Sequence, residues 1–485
     1  MSISGMPQAG KSDDLENLSI TGLVSLVRQL LERVETLEKE NAALKEENAL
    51  LREQLRAAKR PGAPFSKGPG PGAPKKPGRR QGKGRFERRE EPVPGPADRV
   101  EELRAPLDSP ACPQCGAWLE MSERAATVED TPPEPVRIIR RFRVEHGVCA
   151  VCGWSGRGRH ADLAPGQHGA TAHRTGPQVM ARALTLHYHF GLPLCKVPAV
   201  IRAATGIALS QSALTQAAAA LCAPGAVLRT AYEELREALR ISPVVNTDDT
   251  GWRIGGAAAF LMGFFTPLLA VFQIRWRHRH QEVAEMLSAC FAGLLGTDRG
   301  ASYEAGALDA IEQQKCLSHL LKNLSAVEGT KTGRAKAFTR ELKTTLREAI
   351  QLWRDHRAGE CATEQYRERG RRIRQSLDRQ LRDRRLRDPD NQRLLDGIGL
   401  QHDNGRVLLF LEHPEVEPTN NRAERGLRGA VIARKVSHCS KNERGARTYE
   451  VMKSITATLA LRGHQVSSAL AGMITGRPMP QAVLR

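Results

Sequence analysis

The segment Ile241-Ser-Pro-Val-Val-Asn-Thr-Asp248 decides the fold, because it is an apolar run that ends in a carboxylate and leads into further short apolar runs. The next two, Ala257–Phe265 and Pro267–Ile274, are set apart by glycine and proline, as is typical of adjoining strands. A helical stretch, His280–Phe291, then precedes Gly293-Leu-Leu-Gly-Thr-Asp298, which also ends in an aspartate. The sequence therefore predicts strand-strand-strand-helix-strand, with acids on the first and fourth strands.

A third acidic residue, Glu424, lies in Pro418-Thr-Asn-Asn-Arg-Ala-Glu-Arg-Gly-Leu-Arg428, where Thr419 or Asn420 could cap a helix that carries it. Two aspartates at strand ends and a glutamate on a later helix can converge on two divalent cations that promote phosphodiester chemistry. Magnesium suits such a site because it takes few protein carboxylates and keeps positions for water and phosphate. Spacing alone is weak support, since a chain with 54 Asp and Glu residues contains many accidental triplets.

Several blocks of sequence resemble the catalytic blocks of bacterial transposases of the insertion-sequence sixty-six family, and the resemblance covers nearly the whole chain. The blocks are Asp248-Asp-Thr-Gly-Trp-Arg253, Cys316-Leu-Ser-His-Leu-Leu-Lys-Asn323, Thr419-Asn-Asn-Arg-Ala-Glu-Arg-Gly-Leu-Arg428, Arg434-Lys-Val-Ser437 and Glu443-Arg-Gly-Ala-Arg-Thr-Tyr449. The Asn-Asn-x-x-Glu-Arg block is the most specific of them. The resemblance implies the large subunit of a DDE transposase, with an RNase H-like core in which Asp248, Asp298 and Glu424 hold Mg²⁺ or Mn²⁺.

The resemblance also bears on two residues that the spacing leaves open. Successive side chains of a strand point to opposite faces, so only one of Asp248 and Asp249 can enter the site. The family has Asp-Glu-Thr at this place, which favours Asp248 and keeps Asp249 as the fallback. The family also has a histidine at the place of His319, a candidate for the rim of the active site or a DNA contact. The spacing of Cys316 and His319 could suit a metal, although three residues on a helix more often mark one packed face.

The charge of the chain favours nucleic acid as its partner. The formal net charge is +19 and the sequence pI about 9.8, and the alternatives are an inert basic surface or attraction to anionic membranes. The basic residues after Glu424 are candidate phosphate contacts, because arginine forks match phosphate oxygens. They are Arg425, Arg428, Arg434 and Lys435. With no apolar stretch near the ~20 residues of a membrane span and no secretory signal, we expect a soluble cytoplasmic protein.

A leucine zipper is predicted over residues 15–57. Leucines occupy every d position from Leu23 to Leu51, and the a positions include Asn41 and Asn48. The pairs of g and following e residues are all attractive: Arg33 with Glu38, Glu40 with Lys45, and Glu47 with Arg52. Asparagine at a favours a dimer in register, so we expect a parallel homodimer through residues 23–55. The alternative is a lone amphipathic helix that packs on the body of the protein.

Residues 58–98 form a basic linker rich in proline and glycine, which cannot bury a core and could also make nonspecific phosphate contacts. Residues 99–165 are predicted to form a zinc ribbon on the paired knuckles Cys112-Pro-Gln-Cys115-Gly and Cys149-Ala-Val-Cys152-Gly, because four thiolates at this spacing suit structural Zn²⁺. The alternating segment Val136–Glu145 predicts a strand of this ribbon. A disulfide framework is the alternative, but it conflicts with a cytoplasmic chain.

The rest of the chain is predicted to be mostly helical. In residues 166–240, a helix, a turn at Gly206 and a second helix capped by Ser210 resemble a helix-turn-helix, in which Gln211, Ser212 and Thr215 could face DNA. A plain helical hairpin is an equal alternative. Residues 326–415 read as a helical insertion between the core parts 241–325 and 416–485. Its arginine-rich stretches, Tyr366–Arg374 and Arg379–Arg387, indicate either a solvated face or a DNA-gripping arm.

The fold class expected is therefore a multidomain α+β chain: a coiled coil, a Cys₄ zinc ribbon, a helical DNA-binding region, and an RNase H-like α/β core with a helical insertion. The function expected is cleavage of transposon-end DNA and its joining to target DNA. The resemblance implies small accessory proteins as partners. Two alternatives stay open: an inactive DNA-binding regulator, and an RNase H-type nuclease or resolvase without strand transfer.

Overall fold

The computed structural model describes residues 20–58, 93–94, 100, 110–111, 114–118, 137–158, 160, 163, 175–288, 291–382 and 385–483. The chain divides into two compact units, Met1–Asp130 and Thr131–Arg485, and each is described by itself. The described residues form a mixed α/β protein with thirteen α-helices and two β-sheets. In this described part, no helix is both long and apolar enough to cross a membrane.

The first unit contains one long helix, α1 (Ile20–Ala58), which confirms the helix predicted from the heptads. Its described a and d side chains lie open to solvent in the single chain; Val27, Leu30, Val34 and Leu37 are 47–56% exposed. The dimer itself stays a prediction. Further along this unit, Cys115 is exposed in a turn next to Gly116, whose φ of 75° is left-handed and suits glycine. Cys112 and nearly all of the basic linker lie outside the described residues.

The second unit begins with a small hairpin that carries the other cysteine pair. Strands β1 (His146–Val148) and β2 (Ser155–Arg157) pair antiparallel, and the turn between them holds Cys149 and Cys152. Gly153 has a φ of 72°, and its amide donates to the Cys149 carbonyl oxygen at 3.0 Å. The backbone amides of Cys152 and Val151 point at the Cys149 sulfur and lower the pKa of that thiol. This is a geometry that suits a thiolate ligand.

The alternating pattern of Val136–Glu145 predicts a strand, and this prediction is wrong for the residues that the structure describes. Residues 137–145 have no regular secondary structure, and the hairpin strands begin directly after them. Ile138 and Ile139 are 73% and 81% exposed, so the apolar members of the pattern gain no burial in the single chain. Alternation indicates a strand only where one face packs on a core.

Four helices precede the main sheet: α2 (Pro177–Tyr188), α3 (Val197–Thr205), α4 (Gln211–Leu221) and α5 (Val227–Arg240). The local prediction for α3 and α4 is confirmed. Gly206 ends α3 in the left-handed region, and the Ser210 hydroxyl caps α4 by accepting from the Ala213 amide at 3.1 Å. Helix α4 buries Leu214 and Ala218 and exposes Gln211, Ser212 and Thr215. Its role in DNA binding stays a prediction.

The main sheet has five strands in the order β5-β4-β3-β6-β7. The strands are β3 (Val244–Ile254), β4 (Ala257–Phe265), β5 (Ala270–Arg275), β6 (Leu294–Thr297) and β7 (Gln313–Lys315), with helix α6 (His280–Leu287) between β5 and β6. The first three strands pair antiparallel, whereas β6 and β7 run parallel to β3. The predicted strand-strand-strand-helix-strand order is confirmed, and the mixed sheet fits an RNase H-like core.

The helices after the sheet fall into two sets. The first set forms a second apolar core of its own and consists of α7 (Leu317–Gly329), α8 (Ala337–Arg357), α9 (Thr363–Leu381) and α10 (Pro389–Asp403). The second set consists of α11 (Asn421–Ser437), α12 (Glu443–Leu461) and α13 (Val466–Ile474). Helix α11 packs on β3 and β4, and α12 packs on β5. The long helical segment between β7 and α11 therefore leaves the sheet and returns to it.

Candidate active site

Asp248 and Asp298 come together because β3 and β6 are parallel neighbours. Asn246 pairs with Gly296, so Asp248 and Asp298 each lie two residues further along on the same face. Asp298 directly follows β6, as predicted. Asp248 does not end its strand, which is a correction: β3 continues to Ile254 by pairing with β4, and Asp248 lies opposite Gly263. Pairing of β3 with β6 stops at Asn246, and further along, this edge of β3 bonds to Arg434 and Ser440 instead.

The environment of Asp248 is unfavourable for its own charge. The pKa of Asp248 is raised to about 7, chiefly by burial and in smaller part by the carboxylates of Asp298, Asp249 and Glu424. The backbone amide of Asp249, which donates to Asp248 Oδ1 at 2.9 Å, acts in the opposite direction. Among the described residues, no lysine, arginine or histidine forms an ion pair with Asp248. An acid that has no ion-paired cation among the described residues and has three carboxylates as neighbours fits a site for divalent metal ions, which would neutralise the group.

Asp249, the fallback ligand, has a partner that Asp248 lacks. Its Oδ1 lies 3.3 Å from Nδ1 of His278. Burial raises the pKa of Asp249, Asp298 adds to this, and His278 counteracts it. The ring of His278 also stacks edge-on against the buried Tyr303. Asp249 thus has a protein partner for its charge, which supports Asp248 as the metal ligand.

Glu424 lies in the first turn of α11, where Asn420 is the N-cap residue. The cap position was predicted, but the predicted side-chain capping bond is not formed. Instead, Asn420 Nδ2 donates to the Thr247 carbonyl at 2.7 Å, and Asn420 Oδ1 accepts from Asn246 Nδ2 at 3.2 Å. The backbone amide of Asn420 donates to Cys316 Sγ at 3.1 Å. This buried residue ties the start of the glutamate helix to β3 beside Asp248.

Close packing of α11 on β4 depends on two glycines. A Cβ at Gly426 or at Gly263 would overlap the ring of Phe265. Leu427 fills the neighbouring space on the buried face of α11. Small residues at this contact let the helix approach the sheet, and Glu424, two residues before Gly426, approaches with it.

Cys316 and His319 lie beside Glu424. Among the described residues, the one set of three metal-ligand atoms all within 4.8 Å of one another belongs to Cys316, His319 and Glu424. His319 is not on the packed face of α7, which Leu317, Leu320 and Leu324 form. The oxygens of Asp248, Asp298 and Glu424 are spread more widely, as suits a pair of ions roughly 3.5–4 Å apart better than a single one.

Sequence reasoning missed Lys315, a buried cation close to the acids. Its Nζ donates to Thr297 Oγ1 at 3.2 Å and to Gln313 Oε1 at 3.1 Å. The pKa of Lys315 is lowered to about 8, chiefly by burial, against which the charges of Glu304 and Asp298 act. Strand β7, which carries Lys315, reads Gln-Gln-Lys and gives no apolar signal. Its parallel pairing with β6 is the only sign of a strand, and that pairing is invisible in a single sequence.

The basic candidates differ in their surroundings. Arg425, Arg428 and Lys435 are exposed on α11. Arg434 instead donates to Thr250 Oγ1 at 2.9 Å and to the Gly251 carbonyl, so it fixes the far part of β3. Gln211 and Thr215 lie on α4, which packs against α2, α5 and α12. All of these DNA contacts stay predictions.

A mixed sheet that brings acids of two parallel neighbours toward an acid on a later helix fits the RNase H-like class of DDE enzymes. The chain belongs to the family described as "Transposase IS66 family", whose model matches residues 173–448, more than half of its 485 residues. The match includes Asp248, Asp298 and Glu424. This family implies divalent metal use and DNA as a partner. No curated protein matches the chain.

Proposed function

We propose that this protein is a DDE transposase that cleaves transposon-end DNA and joins it to target DNA at one site formed by Asp248, Asp298 and Glu424. The observation that carries the proposal is the approach of three carboxylates with no ion-paired cation at Asp248 in the described residues, in a chain of a transposase family. When bound, two Mg²⁺ or Mn²⁺ ions would activate the attacking oxygen and stabilise the leaving oxygen.

The residues of the proposed site have two roles, metal binding by the acids and phosphate binding by the basic residues. Asp248 and Asp298, fixed on adjacent strands, hold one wall of the site, and Glu424 closes it from α11. Exposed Arg425, Arg428 and Lys435 follow Glu424 and would hold phosphates. In the first step, water attacks a phosphodiester and frees a 3′-hydroxyl. In the second, that hydroxyl attacks target DNA, with displacement of a 3′-oxygen and conservation of the number of phosphodiester bonds.

The N-terminal regions would organise the DNA. The exposed apolar seam of α1 fits a second copy of this chain, because the register predicts attractive g and e pairs. A homodimer would hold two transposon ends together. We further propose that Cys112, Cys115, Cys149 and Cys152 hold structural Zn²⁺. A metal analysis of the purified chain, expected to find one more zinc per chain than in the variant Cys149→Ser, tests this part separately.

The test uses labelled DNA from both flanks of the element that carries the gene, with Mg²⁺ and a target plasmid, and with the accessory proteins added where the lone chain is inactive. We expect cleaved and joined products from the wild type. Glu424→Gln should bind the ends and leave them uncut. Glu364→Gln, which changes an exposed glutamate in the first turn of α9, is the matched control and should keep activity.

The products separate the alternatives. Nicked ends that are never joined would favour a nuclease or resolvase. Binding with no cutting under any metal and partner condition would favour a DNA-binding regulator. Strand cleavage retained by Glu424→Gln would overturn the assignment of the site.

A further inference from the structure

The side chains of Cys316, His319 and Glu424 offer three different ligand atoms to one point. A sulfur, a ring nitrogen and a carboxylate oxygen lie within 4.8 Å of one another. Two ligands on one tetrahedral zinc, at bond lengths of roughly 2.0–2.3 Å, lie roughly 3.3–3.8 Å apart. Shifts of about 1 Å would therefore close the set around an ion. Such mixed ligands select zinc-class cations, whereas Mg²⁺ prefers oxygen alone.

The ring of His319 is free to bind a ligand. Its Nε2 lies 3.9 Å from Glu424 Oε1, which is beyond hydrogen-bond distance. Its Nδ1 is buried and has no hydrogen-bond partner among the described residues. A buried ring nitrogen with no partner is costly, so a ring whose Nδ1 has none and whose Nε2 has only the Glu424 carboxylate at 3.9 Å points to an external ligand.

The sulfur of Cys316 is also positioned to act as a metal ligand. It is the N-cap residue of α7 and is 1% exposed. Its Sγ accepts the Asn420 amide at 3.1 Å, a supporting contact of the kind that orients metal ligands. Because Asn420 also begins the helix of Glu424, one backbone contact fixes the sulfur and the carboxylate relative to each other.

We propose that Cys316, His319 and Glu424 bind a zinc-class divalent cation, and that its binding withdraws Glu424 from Asp248 and Asp298. The proposal rests on the proposed function for the role of Glu424. The same carboxylate then serves two competing sites: one of oxygen ligands, which supports catalysis, and one of mixed ligands, which blocks it. Zinc becomes an inhibitor of the enzyme, in contrast to its structural place on the other four cysteines.

Cobalt tests the site directly, because it takes zinc ligands and thiolate coordination gives it an absorption band. The full-length wild type, Cys316→Ser and Cys361→Ser are titrated with Co²⁺ and the bound metal is counted. Cys361 is likewise buried but lies in the insertion core, so it is the matched control. From the intensity of that band, we expect one more thiolate-bound Co²⁺ per chain in the wild type and in Cys361→Ser than in Cys316→Ser. Equal numbers in all three chains would overturn the site. If Cys316→Ser does not fold, His319→Asn at a 42% exposed side chain takes its place.

Competition is tested by Mn²⁺ binding, followed by electron paramagnetic resonance, with and without one added equivalent of Zn²⁺ beyond the structural site. Zinc should weaken Mn²⁺ binding at least tenfold in the wild type and leave it unchanged within Cys316→Ser. An equal zinc effect in both chains would overturn the competition. The proposed function fails differently: Asp248→Asn would then bind Mn²⁺ as the wild type does. The rate of cleavage with added zinc, divided by the rate without it, should be low in the wild type and close to one in Cys316→Ser.

Discussion

Two acids beside the main sheet, the buried Glu450 and the half-buried Asp248, have opposite surroundings. Glu450 of α12 is 3% exposed beside β5, where its Oε1 accepts from the Ile274 amide at 2.6 Å and from Arg275 Nη1 at 2.7 Å. Burial raises the pKa of Glu450, while Arg275 and the Ile274 amide lower it. Asp248 on β3 has one amide donor and three carboxylates as neighbours.

The difference separates an acid whose charge the fold already balances from the acid that we propose as a metal ligand. The charge of Glu450 is balanced by Arg275 within the fold, so its role is complete without a ligand. The charge of Asp248 is balanced by no ion pair among the described residues, so the folded chain carries a cost that a bound cation would remove. Burial alone does not separate the two cases, because both carboxyl groups have a raised pKa. What separates them is the ion pair, which Glu450 has with Arg275 and Asp248 lacks among the described residues.

The largest expected effect is on catalysis at Asp248. Asp248→Asn should lower strand cleavage by about three orders of magnitude or more, since a metal ion contributes several kcal/mol to transition-state stabilisation. The same change removes a repelled charge, so the free energy of unfolding without Mg²⁺ should stay equal or rise. Cleavage assays and urea unfolding on one preparation measure both. A variant that is destabilised and still active would break the comparison.

The next effect is on the position of Glu424. Asn420→Ala removes the hydrogen bonds to Asn246 and to the Thr247 carbonyl, so α11 should lose its fixed place beside β3. We expect cleavage to fall roughly 10- to 100-fold, because small misplacements of catalytic groups are costly. DNA binding should persist, and excess Mn²⁺ should restore part of the rate if the fault is in metal placement. A rate equal to that of the wild type would show that packing of Gly426 on Phe265 is enough.

The elements that sequence could predict are those with strong apolar runs. Strands β3, β4 and β5 and the acids Asp248 and Asp298 followed from such runs and from glycine and proline between them. Strand β7 could not be predicted, because Gln-Gln-Lys becomes a strand only by pairing with β6. The end of β3 was misplaced for a similar reason: beyond Asp248 the strand pairs with β4 on one edge and bonds on the other to Arg434 and Ser440, which are distant in sequence.

The residues of the candidate site could be named from the sequence, whereas the contacts that position them could not. Family resemblance pointed to Glu424, but the links from Asn420 to Asn246 and Thr247 join residues more than 170 positions apart. No local pattern reports such a contact. The spacing of Cys316 and His319 was visible, whereas the third member of their cluster, Glu424, is brought to them by the fold.

A stability effect is expected where catalysis is untouched. Glu450→Gln keeps an acceptor for the Ile274 amide but removes the charge that faces Arg275. Because Arg275 is part-exposed and keeps Glu285 at 2.5 Å, the loss should be moderate, about 1–3 kcal/mol in the free energy of unfolding. The cleavage rate per folded molecule should match that of the wild type. A large loss of rate with full stability would place Glu450 in the catalytic site and remove the contrast with Asp248.

The smallest effect is a dependence of stability on pH and Mg²⁺ that only the unbalanced acid produces. In the fold the pKa of Asp248 is raised to about 7 from its ordinary value of 3.8, so between these values the folded chain keeps a proton that the unfolded chain has lost. Stability should therefore fall as pH rises through this window, with the full cost present above pH 7. Because the side chain is partly solvated, we expect the free energy of unfolding to fall by about 1–2 kcal/mol across this window.

Mg²⁺ should accordingly stabilise the wild type more at pH 8 than at pH 5, where the Asp248 carboxyl holds a proton instead. Asp248→Asn should lose most of that difference, and Glu450→Gln should keep it. An equal effect of Mg²⁺ at both pH values in the wild type would show that the acids around Asp248 are balanced by the chain itself, as Glu450 is by Arg275.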